Sequence, residues 1–311
     1  EALYSDRSEA DLAASLERIM AELAQPATDE FSPLELSSLN FQSHIEQAAF
    51  EKMVEEARSL IRQGDMFQCV LSQRFSAEYS GRPLDYYRNL RVTNPSNYLY
   101  FYDFGDYQII GASPESLVSV KQGQVTTNPI AGTRPRGKDE REDKVLAEEL
   151  LADEKEVAEH RMLVDLGRND IGKIAQNNSV EVTKYMEVEY FRYVMHLTSV
   201  VRGQLLPQLT AMDALKSTLP AGTVSGAPKI RAMKRIYELE QEKRGVYAGA
   251  IGYLSATGDM DFAIAIRTMI LKNGRAYVQA GAGIVYDSIP ANEYQETINK
   301  AKSMTKIGEM Q

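Results

Sequence analysis

Three things are scarce in this sequence, and each scarcity excludes a class of protein. The 311 residues include one cysteine, Cys69, which excludes an internal disulfide and favours a reducing cytoplasm. No apolar run approaches the ~18 residues of a membrane span, and no signal-peptide pattern opens the chain. Lys and Arg total 35 against 44 Asp and Glu, a net charge of −9, so the basic footprint of a nucleic-acid or anionic-membrane surface is missing.

We therefore expect an acidic, globular, cytoplasmic protein with neither nucleic acid nor membrane as a partner. If its ligand is an anion, the chain must concentrate positive charge locally. The sequence begins at Glu1 rather than Met, so we also expect its natural amino terminus to be missing.

The first third of the sequence predicts two helices separated by a linker. Residues 8–24 and about 47–63 carry apolar residues at helical spacing, and Gly64 stands where a helix C-cap is expected. Residues 25–46 are rich in Pro and Ser and have no period. We predict a helix-and-linker arm over 1–46 and one large domain over 47–311. Further helices are predicted at about 139–168, 208–218, 228–243 and 290–305.

Short turns between apolar runs predict β-hairpins in the rest of the domain. The turns are Gly105-Asp106, Lys121-Gln122-Gly123, Thr257-Gly258-Asp259 and Asn273-Gly274. In this scheme FAIAIRTMILK (262–272) is one strand. Because hairpins build antiparallel sheets and the helices are segregated from them, the fold class is α+β.

Two pairs of glutamates are spaced to share a helix face. Glu156 and Glu159 stand three apart, and Glu293 and Glu296 repeat that spacing after Pro290. Four carboxylates from two helices could hold Mg²⁺. The alternative is two solvated acidic faces, which the crowded charges of residues 138–160 favour.

Other candidate site residues have equally plain alternatives. Arg267 in an apolar strand indicates a carboxylate ligand or a buried ion pair. His196 is either functional or a satisfied core histidine. Gly281 and Gly283 permit a close approach of backbone amides to a carboxylate, or simply end a strand. Lys300 stands one turn after Glu296 and could be its ion-pair partner.

Eight segments, taken together and in order, resemble the chorismate-utilising enzymes, in particular the large subunit of anthranilate synthase. They cover about residues 47–305 and read FQCVLSQRF (67–75), GASPESL (111–117), PIAGTRPRG (129–137), EKEVAEHRMLVDLGRNDIG (154–172), PAGTVSGAPKIRAM (220–233), IAIRTM (264–269), QAGAGIVYDS (279–288) and NEYQETINKA (292–301). The resemblance implies antiparallel sheets sandwiched between helices. It also implies that the family's further amino-terminal region is missing here.

The resemblance also implies a Mg²⁺-dependent site for chorismate. Glu159 and Glu296 match the direct magnesium ligands, and Glu156 and Glu293 match ligands acting through water. The ion would hold the ring carboxylate, with Lys300 nearby.

The remaining substrate contacts are implied in the same way. The family's residues that bind the enolpyruvyl carboxylate are matched by Tyr247, Arg267 and the amides of Gly281 and Gly283. Gly132 and Thr133, in the PIAGTRPRG segment, join the substrate-binding set.

Glu115 matches the general acid that protonates the departing C4 hydroxyl, and we expect its pKa to be raised. Family members that use water carry a lysine base where this chain has Gln68, which favours ammonia as the nucleophile. Ala131 stands where aminodeoxychorismate synthases have a nucleophilic lysine. Thr223 is typical of the anthranilate branch, and His196 would serve the step that releases pyruvate.

The activity implied is the conversion of chorismate and ammonia to anthranilate and pyruvate, a lyase reaction that opens tryptophan biosynthesis. A glutamine amidotransferase subunit would supply the ammonia. The alternatives are a phenazine-type aminodeoxyisochorismate synthase, an aminodeoxychorismate synthase, and a catalytically silent fragment.

Overall fold

A computed structural model describes residues 8–26, 39–240 and 242–305, and the chain separates into two compact units, Glu1–Pro33 and Leu34–Gln311. The first unit contains α1 (Glu9–Leu23), which confirms the first predicted helix. The Ser8 side chain caps it by accepting from the Asp11 amide at 3.2 Å. Most of the predicted linker, 27–38, lies outside the described residues. The division at residue 46 stays a prediction, although residues 42–43 already pair within the second unit.

The second unit contains seven helices among its described residues, and most begin and end near the predicted positions. The predicted helix at 139–168 is two helices, because Asp153 ends the first and caps the second through the amides of Lys155 and Glu156. Gly64 has a φ of +78° after the first helix of this unit, as a C-cap requires. The helices are α2 (Gln47–Arg62), α3 (Pro83–Thr93), α4 (Glu140–Ala152), α5 (Glu154–Gly172), α6 (Ala211–Thr218), α7 (Lys229–Leu239) and α8 (Pro290–Thr305).

The described strands form two antiparallel sheets, which confirms the α+β class. The first sheet contains β1 (Gln42–Ser43), β2 (Gln68–Glu78), β3 (Tyr98–Asp103), β4 (Tyr107–Ser113), β10 (Gly226–Ala227), β13 (Thr268–Lys272) and β14 (Arg275–Ile284). The second contains β5 (Ser116–Lys121), β6 (Gln124–Thr127), β7 (Ile130–Pro135), β8 (Glu181–Tyr190), β9 (Val194–Gln204), β11 (Ala250–Leu254) and β12 (Met260–Ile264).

The strand orders show how the chain is arranged. The first sheet runs β1-β2-β14-β13-β4-β3, with β10 also on β2, and the second runs β11-β12-β5-β6-β9-β7, with β8 also on β9. All four predicted turns join neighbouring antiparallel strands.

The chain passes between the two sheets several times, and two of these crossings lie next to each other. One crossing joins β4 to β5 through Pro114 and Glu115, and the other joins β12 to β13 through residues 265–267. The crossings are hydrogen-bonded to each other, from Ala112 N to Arg267 O at 3.1 Å and from Ile264 N to Glu115 O at 3.0 Å. The single strand predicted over 262–272 is therefore wrong, because the chain leaves one sheet and enters the other at Arg267, whose φ is +49°.

Helices cover each sheet with buried apolar side chains. Tyr86 and Leu90 of α3 and Met304 of α8 pack with Ile110 and Met269 of the first sheet. Val164 and Ile171 of α5 pack with Val118 and Val201 of the second. None of the helices in the described ranges combines the length with the apolarity that a bilayer crossing demands.

Candidate active site

One cavity of about 1020 Å³ lies where the two sheets, α5, α8 and the two crossings meet. Residues that are far apart in the sequence, from Gln68 to Met304, line it. All sixteen residues predicted for the site are among them: Gln68, Glu115, Ala131, Gly132, Thr133, Glu156, Glu159, His196, Thr223, Tyr247, Arg267, Gly281, Gly283, Glu293, Glu296 and Lys300.

Glu115 enters the cavity from the first crossing. Burial raises the pKa of its carboxyl to about 7, although Thr223 and the charge of Lys300 act in the opposite direction. This confirms the expected rise in pKa. The Thr223 hydroxyl is itself buried and approaches Glu115 without completing a hydrogen bond of ordinary geometry. Glu115 can therefore hold a proton near neutral pH and release it to an oxygen in the cavity.

Arg267 enters the cavity from the second crossing. Its guanidinium donates to the Ser303 hydroxyl at 2.9 Å and to the Lys300 carbonyl. Burial lowers its pKa from the ordinary value. No carboxylate among the described residues forms an ion pair with it, so the buried-ion-pair interpretation is wrong for this part of the chain. The charge of Glu296 favours its ionised form, but among the described residues no carboxylate lies within ion-pair distance. A cation that is costly to bury and has no such partner favours an anionic ligand.

Tyr247 and the two glycines of β14 form one wall beside Arg267. A Cβ on Gly281 would lie 2.6 Å from Tyr247 Oη and 2.9 Å from the Leu71 carbonyl oxygen. A Cβ on Gly283 would lie 2.6 Å from Gln68 Nε2. Burial raises the pKa of Tyr247 to about 12, so its hydroxyl remains a donor. Only glycine at these two positions lets the Tyr247 hydroxyl and the Gln68 side chain pack this closely against the backbone of β14.

The four predicted metal-binding glutamates face the cavity from α5 and α8. Burial and the neighbouring Glu159 raise the pKa of Glu156, and burial raises that of Glu293, with Glu296 adding to the effect. Gln68 Nε2 donates to Glu159 Oε1 at 3.3 Å. In the ranges that the structure describes, no three acidic, histidine or cysteine side chains form a ready metal cluster.

Lys300 connects the acidic end of the cavity with the glycine wall. Its Nζ lies 2.6 Å from Glu296 Oε1 and donates to the Gly281 carbonyl at 3.0 Å. The ion-pair interpretation of Lys300 is thus confirmed. Lys300 also lines the cavity, so it can contact a ligand as well as pair with Glu296.

His196 lies opposite, on β9, beside a bulge in β7. Its Nδ1 is 2.9 Å from the Gly132 carbonyl oxygen and 3.0 Å from Thr133 Oγ1. Because a carbonyl oxygen only accepts, Nδ1 carries a proton, and Nε2 has no hydrogen-bond partner among the described residues. Gly132 has a φ of +70°, and the register between β7 and β9 shifts between Ala131 and Thr133.

Two further segments line the cavity, and no sequence motif predicted them. Phe191, Arg192 and Tyr193 line it from the turn between β8 and β9, and Asn94 to Asn97 line it from the segment before β3. Phe191 packs edge-on against His196, with ring centroids 5.4 Å apart. The alternation in MEVEYFRYVM (186–195) could have predicted the hairpin, but its place beside His196 depends on the tertiary structure.

This arrangement defines a pocket that combines an acid of raised pKa, a guanidinium with no ion-pair partner among the described residues, and an acidic cluster. The sequence profile of the chorismate binding enzymes matches residues 2–306, and the chain belongs to that family.

Individual relatives agree with this. Anthranilate synthase component 1 of Lactococcus lactis subsp. lactis (strain IL1403) is 59% identical over 98% of this chain and 67% of the relative. The component 1 of Pseudomonas aeruginosa is 51% identical over 94% of this chain and 60% of the relative. This chain thus spans about two thirds or less of these relatives' length.

Two solved structures share the fold. The crystal structure of anthranilate synthase component I from Streptococcus pneumoniae TIGR4 has 77% sequence identity and a TM-score of 0.92, over 98% of this chain and 68% of that one. MenF, the menaquinone-specific isochorismate synthase from Escherichia coli, has 25% identity and a TM-score of 0.82, over 96% of this chain and 68% of that one. The fold is thus shared by proteins whose names give different conversions.

Proposed function

We propose that residues 47–311 form the catalytic domain of an anthranilate synthase component 1, which converts chorismate and ammonia to anthranilate and pyruvate. The observation that carries the proposal is one cavity in which Glu115, with a pKa of about 7, lies near a buried Arg267 that has no carboxylate partner among the described residues. Chorismate has two carboxylates, which require positive charge, and a hydroxyl leaving group, which requires an acid.

The enolpyruvyl carboxylate is assigned to the wall made by Arg267, Tyr247 and the amides of Gly281 and Gly283. The guanidinium provides the counter-charge, and the glycines let backbone N–H groups approach it. The Tyr247 hydroxyl is protonated and can donate to the same carboxylate. Lys300 places a second positive charge near the ring carboxylate.

The acidic residues suit magnesium by the chemistry of their donors. Glu159 and Glu296 would hold Mg²⁺ directly, with Glu156 and Glu293 acting through water, since all four supply oxygen. Burial raises the pKa values of Glu156 and Glu293, with the charges of Glu159 and Glu296 adding to the effect, and a bound cation would favour the ionised carboxylates. When bound, the ion supplies positive charge for the ring carboxylate.

The first chemical step replaces the C4 hydroxyl with nitrogen at C2. Ammonia forms a bond to C2, the electrons of the ring diene shift, and the C4–O bond breaks as Glu115 protonates the leaving oxygen. Gln68 Oε1 is buried in the cavity wall without a hydrogen-bond partner, so it can accept from an N–H of ammonia. Ala131 has no nucleophile to offer, which leaves C2 free for ammonia itself.

The second step removes pyruvate and makes the ring aromatic. A proton leaves C2, the C3–O bond breaks, and the enolpyruvyl group departs as pyruvate after taking up a proton. His196 is the acid–base group assigned to this step, because its Nδ1–H is held by Gly132 and its Nε2 is left to accept. Gly132 and Thr133 position that ring.

The ammonia source is assigned to a glutamine amidotransferase subunit. The relatives are named component 1, which is consistent with a second component. A cytoplasmic location belongs to the same proposal.

One assay tests the reaction. The chain is incubated with chorismate, Mg²⁺ and ammonium at mildly alkaline pH, and the products are separated by chromatography. Anthranilate and pyruvate in equal amounts support the proposal. Aminodeoxyisochorismate alone would favour the phenazine-type alternative, and 4-amino-4-deoxychorismate would contradict the argument from Ala131. Chorismate binding without turnover would identify a silent fragment.

A further inference from the structure

Arg244 is a buried residue that the reaction described above does not use. Its side chain is 16% exposed, and the side chain of its partner Glu240 is 6% exposed. The guanidinium grips this carboxylate with two bonds, Nε to Oε2 at 2.8 Å and Nη2 to Oε1 at 2.6 Å. A fork of this kind fixes the position of both side chains.

The remaining donors of Arg244 reach backbone on two other segments. Nη1 donates to the Val224 carbonyl, and Nη2 donates to the Val70 carbonyl, both at 2.6 Å. Val224 follows Thr223, which approaches Glu115, and Val70 belongs to β2. One guanidinium thus ties together the turn at 222–225 and the strand that carries Gln68.

Glu240 extends the connection along β2. Its Oε1 accepts from the Ser72 amide at 2.8 Å and from the Ser72 hydroxyl at 2.9 Å. In the register of β2 with β14, Val70 lies opposite Gly283 and Ser72 lies opposite Gly281. The ion pair therefore binds β2 at Val70 and Ser72, the two positions paired with Gly283 and Gly281 of β14.

Arg244 also supports Tyr247 directly. The guanidinium carbon lies 5.5 Å from the centre of the Tyr247 ring, and the Tyr247 amide donates to the Arg244 carbonyl at 3.3 Å. Tyr247 Oη in turn lies where a Cβ on Gly281 would collide with it.

We propose that the Arg244–Glu240 pair is a positioning device that holds Tyr247 and the glycine wall at the spacing needed to grip the enolpyruvyl carboxylate. This inference rests on the proposed function. Arg244 acts through Tyr247, Gly281 and Gly283 and does not itself touch the substrate. Its loss changes the recognition of chorismate more than it changes the chemical step.

The test compares the kinetics and binding of Arg244→Lys with those of the wild type. Lysine keeps the charge but cannot bridge Glu240, Val224 and Val70 at once. We expect the KM and the Kd for chorismate to rise about tenfold, while kcat falls less than about threefold. A purely structural role would lower the stability or the active fraction but leave the KM of the folded molecules unchanged.

A double-mutant cycle with Tyr247→Phe identifies the route of the effect. In the Tyr247→Phe background, Arg244→Lys should raise the chorismate KM less than about threefold, because the contact that it supports is already lost. Two full, multiplicative effects would overturn the inference, and so would a KM for Arg244→Lys within about twofold of the wild-type value.

Two further variants keep the test decisive. Ser72→Ala removes one bond to Glu240 and should raise the KM about threefold, and it decides the question if Arg244→Lys does not fold. Arg235→Lys is the matched control. Arg235, on α7, donates from Nε to Asp65 Oδ2 at 2.8 Å and does not line the cavity. Calorimetric binding of chorismate separates the two proposals: no binding to the wild type refutes the function, and unchanged binding by the variants refutes the inference.

Discussion

Glu115 shows how burial turns an ordinary carboxylic acid into one that stays protonated near neutral pH. Its pKa is raised from 4.5 to about 7, so the acid form is present below that pH and is lost above it. At a constant concentration of free ammonia, turnover should fall as the pH of the solution rises through about 7.

Glu115→Gln should abolish turnover and leave chorismate binding intact. Retained turnover would mean that Glu115 is not the general acid.

The same shift links Glu115 to stability. Because its pKa is higher in the folded chain than in the unfolded one, the folded state binds the proton more tightly, and this stabilisation is lost as the pH rises through about 7. Glu115→Gln should therefore be more stable than the wild type at about pH 8, by on the order of 3 kcal/mol. The two should be alike near pH 4. Denaturant titrations at both pH values measure the difference.

Gly281 provides a steric test of the carboxylate wall. In Gly281→Ala the new Cβ would lie 2.9 Å from a backbone carbonyl oxygen that cannot swing aside. We expect the Kd for chorismate to rise at least tenfold, which is ~1.4 kcal/mol. Gly172→Ala is the control, because no atom lies within 4 Å of its Cβ position. Calorimetry gives both affinities, and equal values would mean that this wall does not meet the substrate.

At the scale of elements, the two crossings determine where the acid and the cation meet. Ser113, fully buried at the end of β4, donates to the Ile264 carbonyl at 2.7 Å and so joins one crossing to the other. Ser113→Ala should cost about 1 kcal/mol of stability and lower kcat about fivefold, because Glu115 follows two residues later. Ser119→Ala on β5 should change neither quantity. If Ser113→Ala loses stability but keeps its kcat, the bond between the crossings does not position Glu115 for the reaction.

At the scale of the whole molecule, part of the net charge of −9 belongs to the acidic cluster in the cavity. The acidic cluster would collect Mg²⁺, which should stabilise the folded chain by about 2.7 kcal/mol at a hundredfold excess over Kd. Glu159→Gln with Glu296→Gln should lose this gain. Glu148→Gln with Glu149→Gln makes the same change in charge on the exposed face of α4 and should keep it. Thermal unfolding with and without Mg²⁺ distinguishes the two pairs.

The helices and hairpins were predictable because their signals are local. Asn273-Gly274 makes its turn with φ values of +50° and +70°, which this residue pair adopts easily. β1, β7, β8, β9, β10 and α3 were not predicted. β1 and β10 have two residues each, and charged side chains interrupt the apolar patterns of β8 and α3. The sixteen site residues came from the family resemblance, and the residues by themselves left each of them open.

The sequence by itself determined the class of the fold, the family, and the residue types available to the site. Periodicity, turn chemistry and motif order need no distant partner, so they can be read along the chain. Only the tertiary structure decided that FAIAIRTMILK changes sheets at Arg267, that this guanidinium has no carboxylate partner among the described residues, and that the pKa of Glu115 rises to about 7. Each of these depends on burial by segments remote in sequence, and burial exists only once the two sheets have met.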